Sequence, residues 1–181
     1  MIARRRFLQA GGLWLAGLAA PRVGRAATVS EIRMRSDARG EHVWFDPVGL
    51  LIQPGATVRW IMDSPGNPHT TTTYHPKNFS HSLRIPERAV PWDSGFLVNP
   101  GDHFEVTLTA EGVYDYFCLP HEASGMVGRL IVGRPSGPGT LPFDYFAGKP
   151  GTAQWVPVPP PARARFPSVA SIMARKIVRA Y

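Results

Sequence analysis

The stretch Tyr114-Asp115-Tyr116-Phe117-Cys118-Leu119-Pro120-His121-Glu122-Ala123-Ser124-Gly125-Met126-Val127-Gly128 decides the reading of this chain. It holds Cys-x2-His-x4-Met between two β-prone runs, 113–118 and 127–132. Cys118 closes the first run and Met126 opens the second. Pro120 and Gly125 mark a turn between them, so a thiol, an imidazole and a thioether converge from one short loop. Tyr114 and Tyr116 share the Cys118 face by the two-residue period of a strand and are expected in the core.

These are soft or borderline donors. Two His and one Cys in a plane, with a weak axial Met, suit copper. Zinc has little use for a thioether, and hard cations have none. The loop supplies three donors, so a fourth must come from elsewhere. His69, nine residues after Trp60 in Asn67-Pro68-His69-Thr70, stands where a strand would run out into the end loops; His75 is the competitor. Cys118 is the single cysteine, so it has no partner within the chain for a disulfide.

Outward from the loop, alternation marks further strands at 28–35, 41–46, 49–53 and 56–62, where Val58, Trp60 and Met62 share a face, then at 70–73 and through Phe104, Val106 and Leu108. Residues 76–94 read as irregular. Seven or eight short strands at intervals of about ten residues give an all-β fold, a sandwich or a barrel. Trp60 and Trp92 read as structural, Met34, Met62 and Met173 as core or surface residues, and His42, His81 and His103 as surface residues.

The segment from Phe45-Asp46-Pro47 through Ile52-Gln53-Pro54-Gly55-Ala56-Thr57-Val58-Arg59-Trp60, then Pro68-His69, then 114–128, resembles the plastocyanin, pseudoazurin and halocyanin group of cupredoxins, the type 1 blue copper proteins. The resemblance covers about residues 28–134. It implies a Greek-key β-sandwich and one type 1 copper held by His69, Cys118, His121 and Met126. It also implies single-electron exchange, through the His121 edge, with a redox donor and acceptor such as a c-type cytochrome or a membrane electron-transfer complex. Two residues depart from the family. Thr70 stands where an Asn often braces the Cys loop, and Phe117 where plant-type plastocyanins carry a Tyr that serves as a remote electron port.

The 181 residues carry a formal charge of +7, distributed unevenly. Residues 1–26 hold five arginines and no acid, residues 27–134 nine basic against twelve acidic, and residues 135–181 six basic against one. The N-terminus, with Arg4-Arg5-Arg6-Phe7-Leu8, an apolar run over 10–20 and Gly24-Arg25-Ala26, reads as a signal peptide of twin-arginine type over 1–26, placing the protein in the periplasm or otherwise outside the cytoplasm. The cupredoxin domain is expected over 27–134. A Pro-rich basic extension follows over 135–181, with nine prolines. Phe143, Phe146 and Trp155 would anchor it on the sandwich. Ser168 would cap a closing helix with Val169, Ile172, Met173 and Ile177 on one face. That helix packs on its own domain or offers its basic end to an acidic partner or a membrane surface. No pattern of a nucleic-acid surface is present. An enzyme is not expected: the His-x-His pairs of multicopper oxidases are absent, and no third residue orients a nucleophilic Cys–His pair. Copper delivery or storage through the same site is the alternative to electron carriage.

Overall fold

The structure is a computed structural model that describes residues 29–180; the signal peptide expected over 1–26 lies outside the described residues. Two mixed sheets face each other. The first has the order β2-β1-β4-β6, from β1 (Val29–Ser36), β2 (Val43–Asp46), β4 (Ala56–Met62) and β6 (His103–Leu108). The second has the order β5-β7-β8-β3-β9, from β3 (Gly49–Ile52), β5 (Thr72–Thr73), β7 (Gly112–Phe117), β8 (Val127–Val132) and β9 (Ile177–Val178). This is the expected all-β sandwich.

Strand β4 shows why the sheets face. Ala56, Val58, Trp60 and Met62 are buried while the residues between them are partly exposed, so one side of the pleat is apolar. That side meets Tyr114, Tyr116, Leu130 and Val132 of the second sheet in one cluster, which also holds Cys118 and Met126. Tyr116 lies against Trp60 and Phe45, at ring-centroid distances of 5.4 and 4.8 Å. Its partner across the ladder is Gly128. A Cβ there would sit 2.2 Å from the Tyr116 hydroxyl, which explains the glycine in the motif.

Sheet two is buried on both faces. Every residue of β7 and β8 is buried, although only alternate ones reach the sandwich interior. Residues 135–180 cover the outer face. Val158 and Ala162 bury Phe117, Val127 and Tyr74. Ile172 does the same for Val113 and Ile131. Between these two clusters lies Asp115, fully buried, paired with Arg84 (2.9 Å) and Arg129 (2.7 Å). The guanidiniums spend their other N–H groups on carbonyls of the extension: Arg84 donates to Gly139 and Leu141, Arg129 to Pro167. Phe143 and Phe166 lie over these two cations.

The chain end differs from the periodic reading. Helix α1 (Pro160–Arg165) precedes α2 (Val169–Arg175), which Ser168 caps by accepting from Ser171 N–H. Helix α2 stops at Lys176, whose φ of 67° reverses the chain. Ile177 therefore leaves the helical face and enters β9, which pairs antiparallel with β3 and covers that edge. A two-residue strand carries no periodicity by which sequence could announce it. Among the described residues, no helix is long and apolar enough to cross a membrane.

Ile172 is fully buried beneath the sheet, so Ile172→Ala should lower unfolding free energy by about 2–5 kcal/mol in urea titration. An unchanged midpoint would mean that the extension is not part of the folded body.

Candidate metal centre

The loop between β7 and β8 is held by its own backbone. Its N–H and C=O groups close on one another: Cys118 N–H donates to Met126 O (3.0 Å), His121 N–H to Cys118 O (3.0 Å) and Met126 N–H to His121 O (3.1 Å). Residues Leu119–Ser124 form a 3-10 turn that opens with Pro120 and ends at Gly125, whose left-handed φ of 83° few side chains tolerate. Three predicted donors are thereby carried by one closed turn.

His69 arrives from the other side of the sandwich end. Its N–H donates to Leu97 O and its O accepts from Leu97 N–H, a two-bond bridge outside the sheets. Its Nε2 lies 3.1 Å from Ser36 Oγ. With Nε2–H donating there, Nδ1 keeps its lone pair for a metal. That Nδ1 is 3.2 Å from His121 Nδ1 and 3.6 Å from Cys118 Sγ, and Cys118 Sγ is 3.3 Å from His121 Nδ1. A point equidistant from these three atoms lies about 2 Å from each, which is the range of bonds from nitrogen and sulfur to a first-row divalent ion. Met126, fully buried, belongs to the same apolar cluster as Cys118. A thiol, two imidazoles and a thioether with no carboxylate among them match copper's donor preference.

His75 stays outside. It occupies a turn in which its Nδ1 accepts from Lys77 N–H. A second cluster, Asp37, Glu41 and His42, also brings three donors together. Asp37 already accepts backbone N–H groups from Arg39 and Glu41 there, so that loop is explained by its own turn.

The surroundings correct one expectation and add residues that the sequence did not reveal. His81, read as a surface residue, is buried and stacked on Phe117 (4.4 Å, 27°), because residues 80–82 are pinned to the extension at Val156. Its Nε2 faces Glu122 Oε2 at 3.1 Å, and Tyr74 OH donates to Glu122 Oε1 at 2.7 Å. Thr70 supplies the brace of the Cys loop in place of Asn. Its Oγ1 accepts from Leu119 N–H (2.8 Å) and contacts Thr72 Oγ1 (2.9 Å), which donates to Asp93 (2.8 Å). Its backbone N–H points at Cys118 Sγ (3.4 Å). Ser36, Tyr74 and Asp93 lie far from the motif in sequence, and nothing in spacing marks them. Phe117 is fully buried, so the strand position before Cys118 offers no surface exit.

Burial sets the protonation of the metal-free site. It pushes the Cys118 thiol up to about 12, against the opposing pull of the Thr70 N–H. Burial, with His121 second, pulls the His69 imidazole down to about 4, and burial lowers His121 as well. The metal-free site thus holds neutral rings and a thiol at neutral pH, and metal uptake must release the thiol proton.

Comparison with known proteins agrees with this geometry. Residues 32–133 match the copper binding proteins of the plastocyanin/azurin family. The chain is 30% identical over 140 residues to the chloroplastic plastocyanin of Chlamydomonas reinhardtii, covering 72% of this chain and 83% of that one. It is 33% identical over 125 residues to plastocyanin of Prochlorothrix hollandica, covering 69% and 85%. Among solved structures, a pseudoazurin from Sinorhizobium superposes with a TM-score of 0.48 at 28% identity, over 62% of this chain and 81% of that one. The chain belongs to the plastocyanin/azurin family of copper-binding cupredoxins, and its cofactor is copper.

The His69 shift gives a signed pH dependence. The unfolded ring takes a proton near 6.5 and the folded ring near 4. Between these values the unfolded chain binds more protons, so the stability of the metal-free protein should fall as pH drops from 6.5 toward 4. At the other limb the thiol takes about 9 unfolded and about 12 folded, so stability should fall again as pH rises above 9. Urea midpoints measured from pH 4 to 11 check both, and His69→Gln should flatten the acid limb. An equal acid slope in wild type and variant would contradict the assignment.

Proposed function

We propose that the protein is a mononuclear type 1 copper protein that carries single electrons between redox partners outside the cytoplasm, with His69, Cys118, His121 and Met126 as its ligands. One observation carries the reading: a buried Cys118 thiol and two imidazole nitrogens stand within 3.6 Å of one another, in a family that binds copper. Bound there, copper supplies a reversible one-electron couple. The residues do the rest. Cys118 provides the thiolate once its proton has left. Ser36 holds His69 in the ligating tautomer, and Thr70 ties the Cys118 loop to the segment that bears His69. Three of the four side chains are fully buried and His121 alone is half-buried. The His121 ring is therefore the short path to the surface, and a redox partner docks over it.

The donor and acceptor proposed are redox proteins, such as a c-type cytochrome or a membrane electron-transfer complex. Export by the twin-arginine signal over 1–26 suits a copper protein whose thiol must meet its metal after folding. The enclosed donor set favours electron carriage over copper delivery, because an exchanging site needs an open ligand.

An absorption spectrum of the copper-loaded protein tests the reading. An intense visible band from thiolate-to-Cu(II) charge transfer is expected, and Cys118→Ser should abolish it. His69→Ala should lose or grossly distort the band while His75→Ala keeps it. A pale wild type, or the reverse order of the two histidine variants, would overturn the assignment.

A further inference from the structure

The turn Leu119–Ser124 carries His121 and leads to Met126, yet none of its residues is buried. Of its side chains, Leu119 packs against the Tyr74 and Phe117 cluster, at the Cys118 end. Its backbone bonds close the turn on itself, and its main-chain tie to another element is Leu119 N–H on Thr70, at the Cys118 end. The other end has a side-chain tie. Glu122, the residue after His121, turns its carboxylate inward until only 13% of the side chain is exposed. Each oxygen has its own partner: Oε1 accepts from Tyr74 OH at 2.7 Å, and Oε2 faces His81 Nε2 at 3.1 Å.

Both partners are themselves immobilised. Tyr74 is fully buried against Phe117, Val158 and Phe166. His81 stacks on Phe117, and its Nδ1 faces Asn78 O at 3.2 Å. Ser80 and Ser82 on either side of it pair with Val156 of the extension. Helix α1 of the same extension rests on the turn, where a Cβ at Gly125 would meet Arg165 Cγ at 2.7 Å and Pro161 O at 3.3 Å. The tie thus runs from the His121 turn through Glu122 to a floor that the extension covers.

We propose that Glu122 is a positioning residue for the copper site: held by Tyr74 and His81, it locks the turn so that His121 and Met126 keep their places around Cys118. The proposal rests on the type 1 reading for its metal, but the tether itself is a property of the chain. A carboxylate beside a ligand is costly to bury without partners, and two donors on two oxygens offset that cost while fixing its orientation. A surface loop residue in the same position would need neither.

The test uses Glu122→Ala, Glu122→Gln and Tyr74→Phe in the full chain. In copper-loaded protein, Glu122→Ala should weaken copper affinity roughly 10–100-fold, the usual effect of removing a group that orients a ligand, and should change the Cu(II) EPR spectrum and reduction potential. Glu122→Gln keeps an oxygen for Tyr74 and should restore most of the affinity, with Tyr74→Phe in between. In metal-free protein, amide exchange at Gly125 and Met126 should quicken in Glu122→Ala, in the order set by the copper arm. Wild-type affinity, EPR spectrum and exchange in Glu122→Ala would overturn the proposal. So would a lowered melting temperature with unchanged copper signals, which is the mark of a merely structural residue. If copper-loaded wild type shows no thiolate band, the type 1 reading falls, and the metal-free exchange arm still decides the tether.

Discussion

The last rungs of the β7–β8 ladder are the constraint on which the site depends. Phe117 and Val127 are the final cross-strand pair, and the next bond joins Cys118 N–H to Met126 O. Once that bond forms, the seven residues 119–125 must return within one strand spacing, about 4.8 Å. A 3-10 turn ending on a left-handed glycine is a compact way to do so. Thiol, imidazole and thioether are then brought together by strand pairing rather than by a metal. His69 is the one donor that needs the rest of the sandwich, and it reaches the site through the Leu97 bridge and the Ser36 bond.

That ladder is buried on both sides, which links the site to the extension. The inner face packs as in any two-layer sandwich. The outer face carries Phe117, Asp115 and Val113, and a bare outer face would leave an aspartate and two arginines half-desolvated. Isolating one member of such a group costs about 3–5 kcal/mol. Residues 139–167 answer with carbonyl acceptors for the guanidiniums and with aromatic rings over them. The residues that roof Phe117 also roof Tyr74 and sit on the Cys118 turn, so the extension is mechanically continuous with the centre.

How much of this was legible follows from range. The strands of the sandwich were, because Val58, Trp60 and Met62 or Tyr114 and Tyr116 alternate within a few residues. The meeting of Cys118 and His121 on the 118–126 turn was, because their spacing is local. His81 was not: its burial depends on Val156, a residue 75 positions later in the chain. Asp115 sits in an alternating strand whose outer face would ordinarily meet water, and nothing near it announces Arg84 or a covering segment. The helical period through Ile177 was real but was overridden at Lys176, where β3 offers an open edge. Thr70 shows the opposite case: the amide is missing, yet a hydroxyl at the same place makes the bond, because the geometry asks only for an acceptor facing Leu119 N–H.

The same burial that keeps Cys118 protonated without a metal biases the proposed couple. With one thiolate and three neutral donors, the reduced centre carries no net charge and the oxidised centre carries one positive charge. Around it lie Trp60, Tyr116 and the other apolar side chains of the sandwich interior, a medium that disfavours charge without a partner. The carboxylate on the turn, Glu122, is turned away from the donors, onto Tyr74 and His81. The Thr70 N–H directed at Sγ withdraws electron density from the thiolate, which weakens its support for the higher oxidation state. Desolvation and this hydrogen bond act in one direction, toward the reduced form. Opposing them is the half-buried His121 edge, where water can stabilise the oxidised charge. The balance in the proposed couple is thus between a buried side that favours the reduced form and a half-buried His121 edge that favours the oxidised one.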